Sequence, residues 1–240
     1  MWLDADVPDG QALNDPVLLV SVSTSMPQYR AMYSQARELA EYMLRKMEFV
    51  RVGSVRSSAF PPEVIVRADG ATSLPQCTFH VYRGKRDLLL FSGDTSPADD
   101  QFEFSEALVG WAKRMGVTEL YSVGARWTES PGPPEADPEV WGFSTDAAGV
   151  DKLKSQGVKI ISEEPAPFFA SLVVALAGAS GLTGYKLSVN HGEPSPHPKS
   201  VARILRVLSG ALGFEVDLRE LTERARGLTS KGKGNGSVYQ

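Results

Sequence analysis

The first residues with the chemistry for a ligand site follow the apolar segment PVLLVSV (16–22) and read SVSTSMPQYR (21–30). A turn between a strand and a helix is the usual ligand position in an α/β fold. Dinucleotide and phosphate loops need glycines, so that backbone N–H groups can approach the phosphates. This turn contains none, which argues against a nucleotide site. The serines from Ser23 to Ser25 remain candidates for binding a small anion, although turn formation is the interpretation that we favour.

A second candidate is Asp94, which follows the buried strand pattern LLLFSG (88–93). Catalytic carboxylates of α/β enzymes lie at such strand ends. The simpler interpretation is structural: Gly93 turns the chain and Asp94 caps it. We favour that interpretation and keep the catalytic carboxylate as the alternative.

The three histidines, His80, His191 and His197, do not form a spaced metal-ligand cluster, and the single cysteine, Cys77, has only His80 near it in sequence. There is no G-x-S-x-G motif to anchor a serine nucleophile. We therefore predict no catalytic residues, no bound metal and no cofactor.

The elements that would position these residues alternate between strand and helix. The segment 16–22 predicts a strand covered on both faces, and 27–47 has apolar residues at helical spacing. Ser96 is a plausible N-cap, with Pro97 at the first helical position, for a helix over 96–116. Further strands are predicted at 53–59, 63–68, 77–83, 87–93, 118–125, 139–145, 158–161 and 185–191, and further helices at 147–157, 167–179, 199–213 and 217–227. This order predicts a three-layer α/β domain with a mixed sheet.

Composition and charge limit the class of protein. The chain of 240 residues has a net charge of −4, so no overall field favours nucleic acid or an anionic membrane. One cysteine and an acidic N-terminus without a secretory pattern indicate the cytoplasm. The most apolar run, 167–181, is too short to cross a bilayer and predicts a buried helix.

Four segments in order resemble the proteasome-assembly-chaperone-2 family, including its prokaryotic members. They are SSAFPPEVIV (57–66), DLLLFSGDTSP (87–97), the proline-rich stretch 119–145, and HPKSVARILRVLSGALGFEVDLRELTERA (197–225). The resemblance covers about residues 15–226. It implies a phosphorylase-like α/β sandwich with a mixed, mostly parallel sheet and without catalytic apparatus. Two segments depart from the family pattern. The segment EPSPHPKS (193–200) lacks the acidic residue that the family tends to carry between the prolines. The segment EEPAPFF (163–169) stands where a glycine-containing turn is more usual.

The last three residues, Val238, Tyr239 and Gln240, follow a Gly/Lys-rich string. The resemblance implies a role for them, because proteasome activators commonly end in a hydrophobic residue, tyrosine and any residue. We predict one domain over residues 1–226 and a flexible tether over 227–240 that carries this motif. The alternative is a tail that only keeps the protein soluble.

The resulting prediction is a cytoplasmic, non-enzymatic homo-oligomer. It would insert Val238, Tyr239 and Gln240 into pockets of the α ring of the proteasome core particle, with no nucleic acid or membrane as partner, and act as an assembly chaperone or an ATP-independent activator. The alternative is a small-molecule-binding protein or a hydrolase- or phosphorylase-type enzyme on the same fold, using Ser23–Ser25 and Asp94.

Overall fold

A computed structural model describes residues 2–5, 12–22, 35–93, 95–127, 137–191 and 197–232. These residues form a large mixed sheet in the order β1-β3-β6-β7-β2-β8-β11-β9-β10, with a separate two-stranded hairpin of β4 and β5. The strands are β1 (Trp2–Ala5), β2 (Val17–Val22), β3 (Val50–Arg56), β4 (Ile65–Val66), β5 (Thr72–Ser73), β6 (Cys77–Tyr82), β7 (Leu88–Gly93), β8 (Glu119–Trp127), β9 (Val140–Ser144), β10 (Lys159–Ile160) and β11 (Thr183–His191).

The sheet is parallel at its centre, with antiparallel pairs on both sides of the central strands, and the outermost pair, β9 with β10, is parallel again. Strands β7, β2, β8 and β11 run parallel to one another, and β2 is buried on both faces, as its short apolar run predicted. On one side β6, β3 and β1 add antiparallel pairs, and on the other side β9 pairs antiparallel with β11. The predicted α/β fold with a mixed, mostly parallel sheet is therefore confirmed.

Helices cover both faces of the sheet. They are α1 (Gln35–Lys46), α2 (Gln101–Arg114), α3 (Ala147–Ser155), α4 (Phe169–Ala179), α5 (Pro198–Leu212) and α6 (Arg219–Gly232). One hydrophobic core joins the sheet to α1, α3, α5 and α6, and the other joins it to α2 and α4. Successive strand residues contribute to opposite cores: Leu19 contacts the first and Leu18 the second. This is the three-layer arrangement that the element order predicted.

A charged network lies at the amino ends of the central strands. Glu119, the first residue of β8, accepts hydrogen bonds from Arg86 at 3.1 Å and from Lys152 of α3 at 2.8 Å. Tyr121 donates a third hydrogen bond to the same carboxylate and stacks on Tyr185 of β11, with the ring centroids 4.3 Å apart. Although burial raises the pKa of Glu119, the hydrogen bond and charge of Lys152, together with Arg86, hold that pKa below its ordinary value.

Two helix ends differ from the sequence prediction. Helix α2 begins at Gln101 and not near Ser96, because Asp100 has a left-handed backbone and the segment before it is hydrogen-bonded to Ala59 O. Helix α6 continues through Gly232, beyond its predicted end at residue 227. Leu221 and Ala225 are buried and Arg224 pairs with Glu38 of α1. These contacts stabilise α6 enough for the helix to continue past Gly227, because a glycine inside a helix costs only about 1 kcal/mol.

Candidate functional site

A pocket of about 320 Å³ lies where the central strands end. Val22 ends β2, Gly124 and Arg126 belong to the last part of β8, and Lys186 and Ser188 belong to β11. The segment before α4 and its first turn form the opposite wall. This is the position at which open α/β sheets bind ligands, at the carboxyl edge of the strands. The lining residues from the opposite wall are Glu164, Pro165, Ala166, Pro167, Phe168, Phe169, Ala170 and Ser171.

The charged group in the interior of this pocket is the amine of Lys186. The residue is only 6% exposed, and its Nζ donates a hydrogen bond to the carbonyl of Leu187 at 3.2 Å. A Cβ atom placed on Gly124 would lie 2.6 Å from Nζ, so the glycine provides the space that the amine occupies. Burial lowers the pKa of Lys186 to about 7, because the charged form loses its hydration.

A second polar group on this face of the sheet is Ser122, which lies opposite Lys186 in the pairing of β8 with β11. Its hydroxyl is buried and makes no hydrogen bond among the described residues. An unpaired buried hydroxyl costs about 1–3 kcal/mol. Ser122 and Lys186 thus place two poorly compensated polar groups inside an otherwise apolar layer under α4.

The mouth of the pocket contains an ion pair. Arg126 forms a two-pronged contact with Glu164, with nitrogen–oxygen distances of 3.0 and 3.1 Å from Nη2 to the two carboxylate oxygens. The guanidinium also lies 4.8 Å from the ring centroid of Trp141. Arg126 is therefore neutralised and held in place on the rim, whereas no carboxylate of the described part of the chain pairs with Lys186 in the interior.

The segment that leads into α4 is strained. Phe168, the N-cap, has φ 74° and ψ 161°, a conformation that is almost confined to glycine, and Glu163 has φ 59°. Phe168 makes no side-chain cap to the helix. This is the stretch EEPAPFF, where the sequence departs from the glycine-containing turn of the family it resembles. The departure is accommodated as backbone strain beside the pocket.

The candidates singled out from the sequence are only partly described. Ser23–Ser25, Asp94, Val238, Tyr239 and Gln240 lie outside the described residues, so the proposed anion site, the catalytic alternative and the docking motif remain predictions. His80 lies in β6, where burial, and then the charge of Arg51, lower its pKa. The Nδ1 atom of His197 accepts a hydrogen bond from the backbone N–H of Lys199 and caps α5.

Two further observations concern metals and membranes. Among residues 2–5, 12–22, 35–93, 95–127, 137–191 and 197–232, no three His, Cys, Asp or Glu side chains lie close enough together to hold a metal ion. None of the helices in this part of the chain has the length and apolar character needed to span a bilayer.

The fold and the edge pocket define a class, the three-layer α/β proteins with a mixed sheet. The sequence model of the PAC2 family matches residues 36–231, and this chain belongs to that family.

Three solved structures are similar to this chain in fold. PbaB of Pyrococcus furiosus, described as an archaeal proteasome activator, superposes with a TM-score of 0.79 at 21% identity, over 96% of both chains. PbaA of the same organism, a homologue of proteasome-assembly chaperone, gives 0.72 at 20% identity over 93% of this chain and 88% of the other. The Mycobacterium tuberculosis chaperone homologue Rv2125 gives 0.76 at 16% identity, over 94% and 97%.

Proposed function

We propose that this protein is a non-enzymatic, cytoplasmic proteasome-binding protein that acts as an assembly chaperone or as an ATP-independent activator. The observation that carries the proposal is membership of the PAC2 family over residues 36–231. The likeness to PbaB, described as an archaeal proteasome activator, over nearly the whole of both chains supports the proteasome core particle as the partner. The sequence contains no glycine-rich phosphate loop, which agrees with a mechanism that does not use ATP.

The proposed contact is made by Val238, Tyr239 and Gln240. Helix α6 is fixed to α1 and ends at Gly232, which leaves the eight residues 233–240 to carry the motif. A chain of eight residues spans at most about 28 Å. The tyrosine ring and the valine would bury apolar surface in a pocket between ring subunits, and the carboxylate of Gln240 would pair with a lysine of the core particle.

We propose a homo-oligomer, because one such tail binds weakly and several tails on one assembly gain about 10²–10⁴ in avidity. The surface best suited to the contact between copies lies around the β4–β5 hairpin. Val64, Val66 and Leu74 are large apolar residues that are exposed there, next to a groove that Pro61 and Pro75 line. Exposed apolar surface of this kind marks interaction sites.

The test is the hydrolysis of a fluorogenic peptide by purified core particle from the same organism. The full-length protein is compared with a chain that ends at Ser237, and light scattering gives the mass of each assembly. A control with Val238→Tyr and Tyr239→Val keeps the length and composition of the tail but destroys the order of the motif. We expect stimulation or binding by the full-length protein and its loss in both variants. Unchanged binding after removal of the last three residues would refute the docking proposal.

The alternative, a small-molecule-binding protein or an enzyme on the same fold, is favoured by one observation: the pocket lies at the carboxyl edge of the strands, as that alternative requires. Its interior charge belongs to Lys186 and not to a carboxylate of the described residues. The pocket therefore supports ligand binding without identifying a reaction.

A further inference from the structure

We infer that the pocket beneath the first turn of α4 binds a small organic carboxylate with an apolar body, whose carboxylate group pairs with the amine of Lys186. This site is separate from the proposed docking of the C-terminal tail. Either proposal can fail without affecting the other, because none of the residues that line the pocket lies beyond Ser188.

The buried amine of Lys186 provides a positive charge for an anion to pair with. Lys186 Nζ has three protons to donate and donates one of them, to Leu187 O, among the described residues. No carboxylate in that part of the chain lies within ion-pair distance of Lys186 Nζ. Burial is what lowers the pKa of this amine. A buried ammonium without a partner is costly, and an anion that enters the pocket would supply the partner.

The N-terminus of α4 provides a second attraction for an anion. The first N–H groups of a helix lack acceptors within the helix and carry a partial positive charge. Phe169, Ala170 and Ser171 form the first turn of α4 and all line the pocket. The N–H of Ser171 donates to Phe168 O, so among the described residues the N–H groups of Phe169 and Ala170 are the ones left without an acceptor, and the N-cap residue provides no side-chain acceptor. Ala170 lies close to Gly124 and thus to the Lys186 amine. A carboxylate placed there would be attracted by both groups.

The other charges that line the pocket balance each other. Among the described residues, the ionisable groups that line the pocket besides Lys186 are Arg126 and Glu164, and they pair with each other at the rim. The pair contributes no net charge, so the interior keeps the single positive charge of Lys186. A monoanion restores neutrality, whereas a neutral ligand or a cation does not.

The apolar walls determine the rest of the ligand. Phe143, Ile161, Pro165 and Pro167 face the cavity, together with Val22 of β2. A pocket of about 320 Å³ is at the lower end of the range for small-molecule sites and accommodates a ligand of roughly ten non-hydrogen atoms. The ligand class is therefore a monocarboxylate with a compact aromatic or branched aliphatic body.

The experiment is titration calorimetry of the full-length protein with 3-phenylpropionate and with 4-methylpentanoate, each compared with the alcohol of the same skeleton. The variants are Lys186→Met, which removes the buried amine, and Lys154→Met, which removes an exposed lysine of α3 as a matched change of charge. Circular dichroism confirms that both variants are folded. The wild-type protein is titrated at pH 6 and at pH 8.5, where both acids are ionised, so the test does not depend on any variant.

We expect at least one carboxylate to bind at least tenfold more tightly than its alcohol, and this preference to be lost in Lys186→Met and kept in Lys154→Met. Affinity should fall about thirtyfold from pH 6 to pH 8.5, because Lys186 loses its proton over this interval. Three results would overturn the inference: neither acid binds at millimolar concentration, acid and alcohol bind equally, or the affinity does not change with pH.

Discussion

Replacement of Lys186 by methionine should stabilise the protein, most strongly at acidic and neutral pH. The side chain of Lys186 is 6% exposed, and burial lowers its pKa from 10.5 to about 7. Each tenfold change in proton affinity is worth about 1.4 kcal/mol. At pH 6 the folded protein therefore carries a penalty of about 5 kcal/mol for the buried ammonium. Methionine has a similar length and no charge, so it removes that penalty.

The dependence on pH follows from proton binding. Between pH 7 and 10 the unfolded chain keeps the proton on Lys186 and the folded protein does not, so the stability of the wild-type protein rises with pH in this window. At pH 9 the remaining penalty is about 2 kcal/mol. The advantage of Lys186→Met should thus shrink by about 3 kcal/mol between pH 6 and pH 9. Groups common to both proteins, among them Tyr185 with its raised pKa, cancel in the comparison.

The assay is urea unfolding of both proteins followed by circular dichroism at pH 6, 7.5 and 9, with Lys154→Met as the exposed control. The control should differ from the wild type by no more than about 0.5 kcal/mol at every pH. A wild type more stable than Lys186→Met at pH 6, or an advantage that stays constant from pH 6 to pH 9, would refute the reasoning. Either result would mean that the amine has a partner or water in solution.

Three further substitutions, one of them a control, test the strain and the charged network. Phe168→Gly should raise the free energy of unfolding by about 1 kcal/mol, because Phe168 has a backbone conformation suited to glycine. Phe102→Gly, at an exposed position of α2, should lower it by up to about 1 kcal/mol, and thermal unfolding that gives both variants the same sign would contradict this explanation. Glu119→Gln should cost about 1–2 kcal/mol at pH 7, because it weakens the contacts with Arg86 and Lys152. The pKa of Glu119 is lowered on folding, so its contribution is lost progressively as the pH falls below about 4.5, and the gap between the urea midpoints should narrow from pH 7 to pH 3. An equal gap at both pH values would exclude an ionic origin.

Much of the fold could be predicted because the long elements have clear periodicity. The apolar run of β2 and the one-sided apolar pattern of α5 place two central elements correctly. Strand β1 was missed, since Trp2–Ala5 is short and its pairing with β3 joins residues far apart in sequence. The start of α2 was wrong because nothing in the residue type of Asp100 announces a left-handed backbone.

The pocket was missed for a different reason. In the segment YKLSV, Lys186 and Ser188 alternate with apolar residues, which is the pattern of a strand with one face in water. In the structure α4 covers that face, and α4 is apolar on nearly all sides. The apolar segment of α4 and the lysine in the next strand together allow the pocket to be predicted. An apolar helix that precedes a strand in an α/β unit covers one face of the sheet, and a lysine on that face is then buried.

The two ends of the central strands are held in different ways, and this has a consequence for local opening. At the amino ends, Glu119 joins β8 to α3 and to the segment before β7 through Lys152 and Arg86. At the carboxyl ends, the pocket and the strained start of α4 lie side by side. Local unfolding draws on the least stable contacts of a protein, so the first turn of α4 should lift away before the strands separate. Such a movement gives a small molecule a route to an enclosed amine while the opposite end of the sheet stays closed.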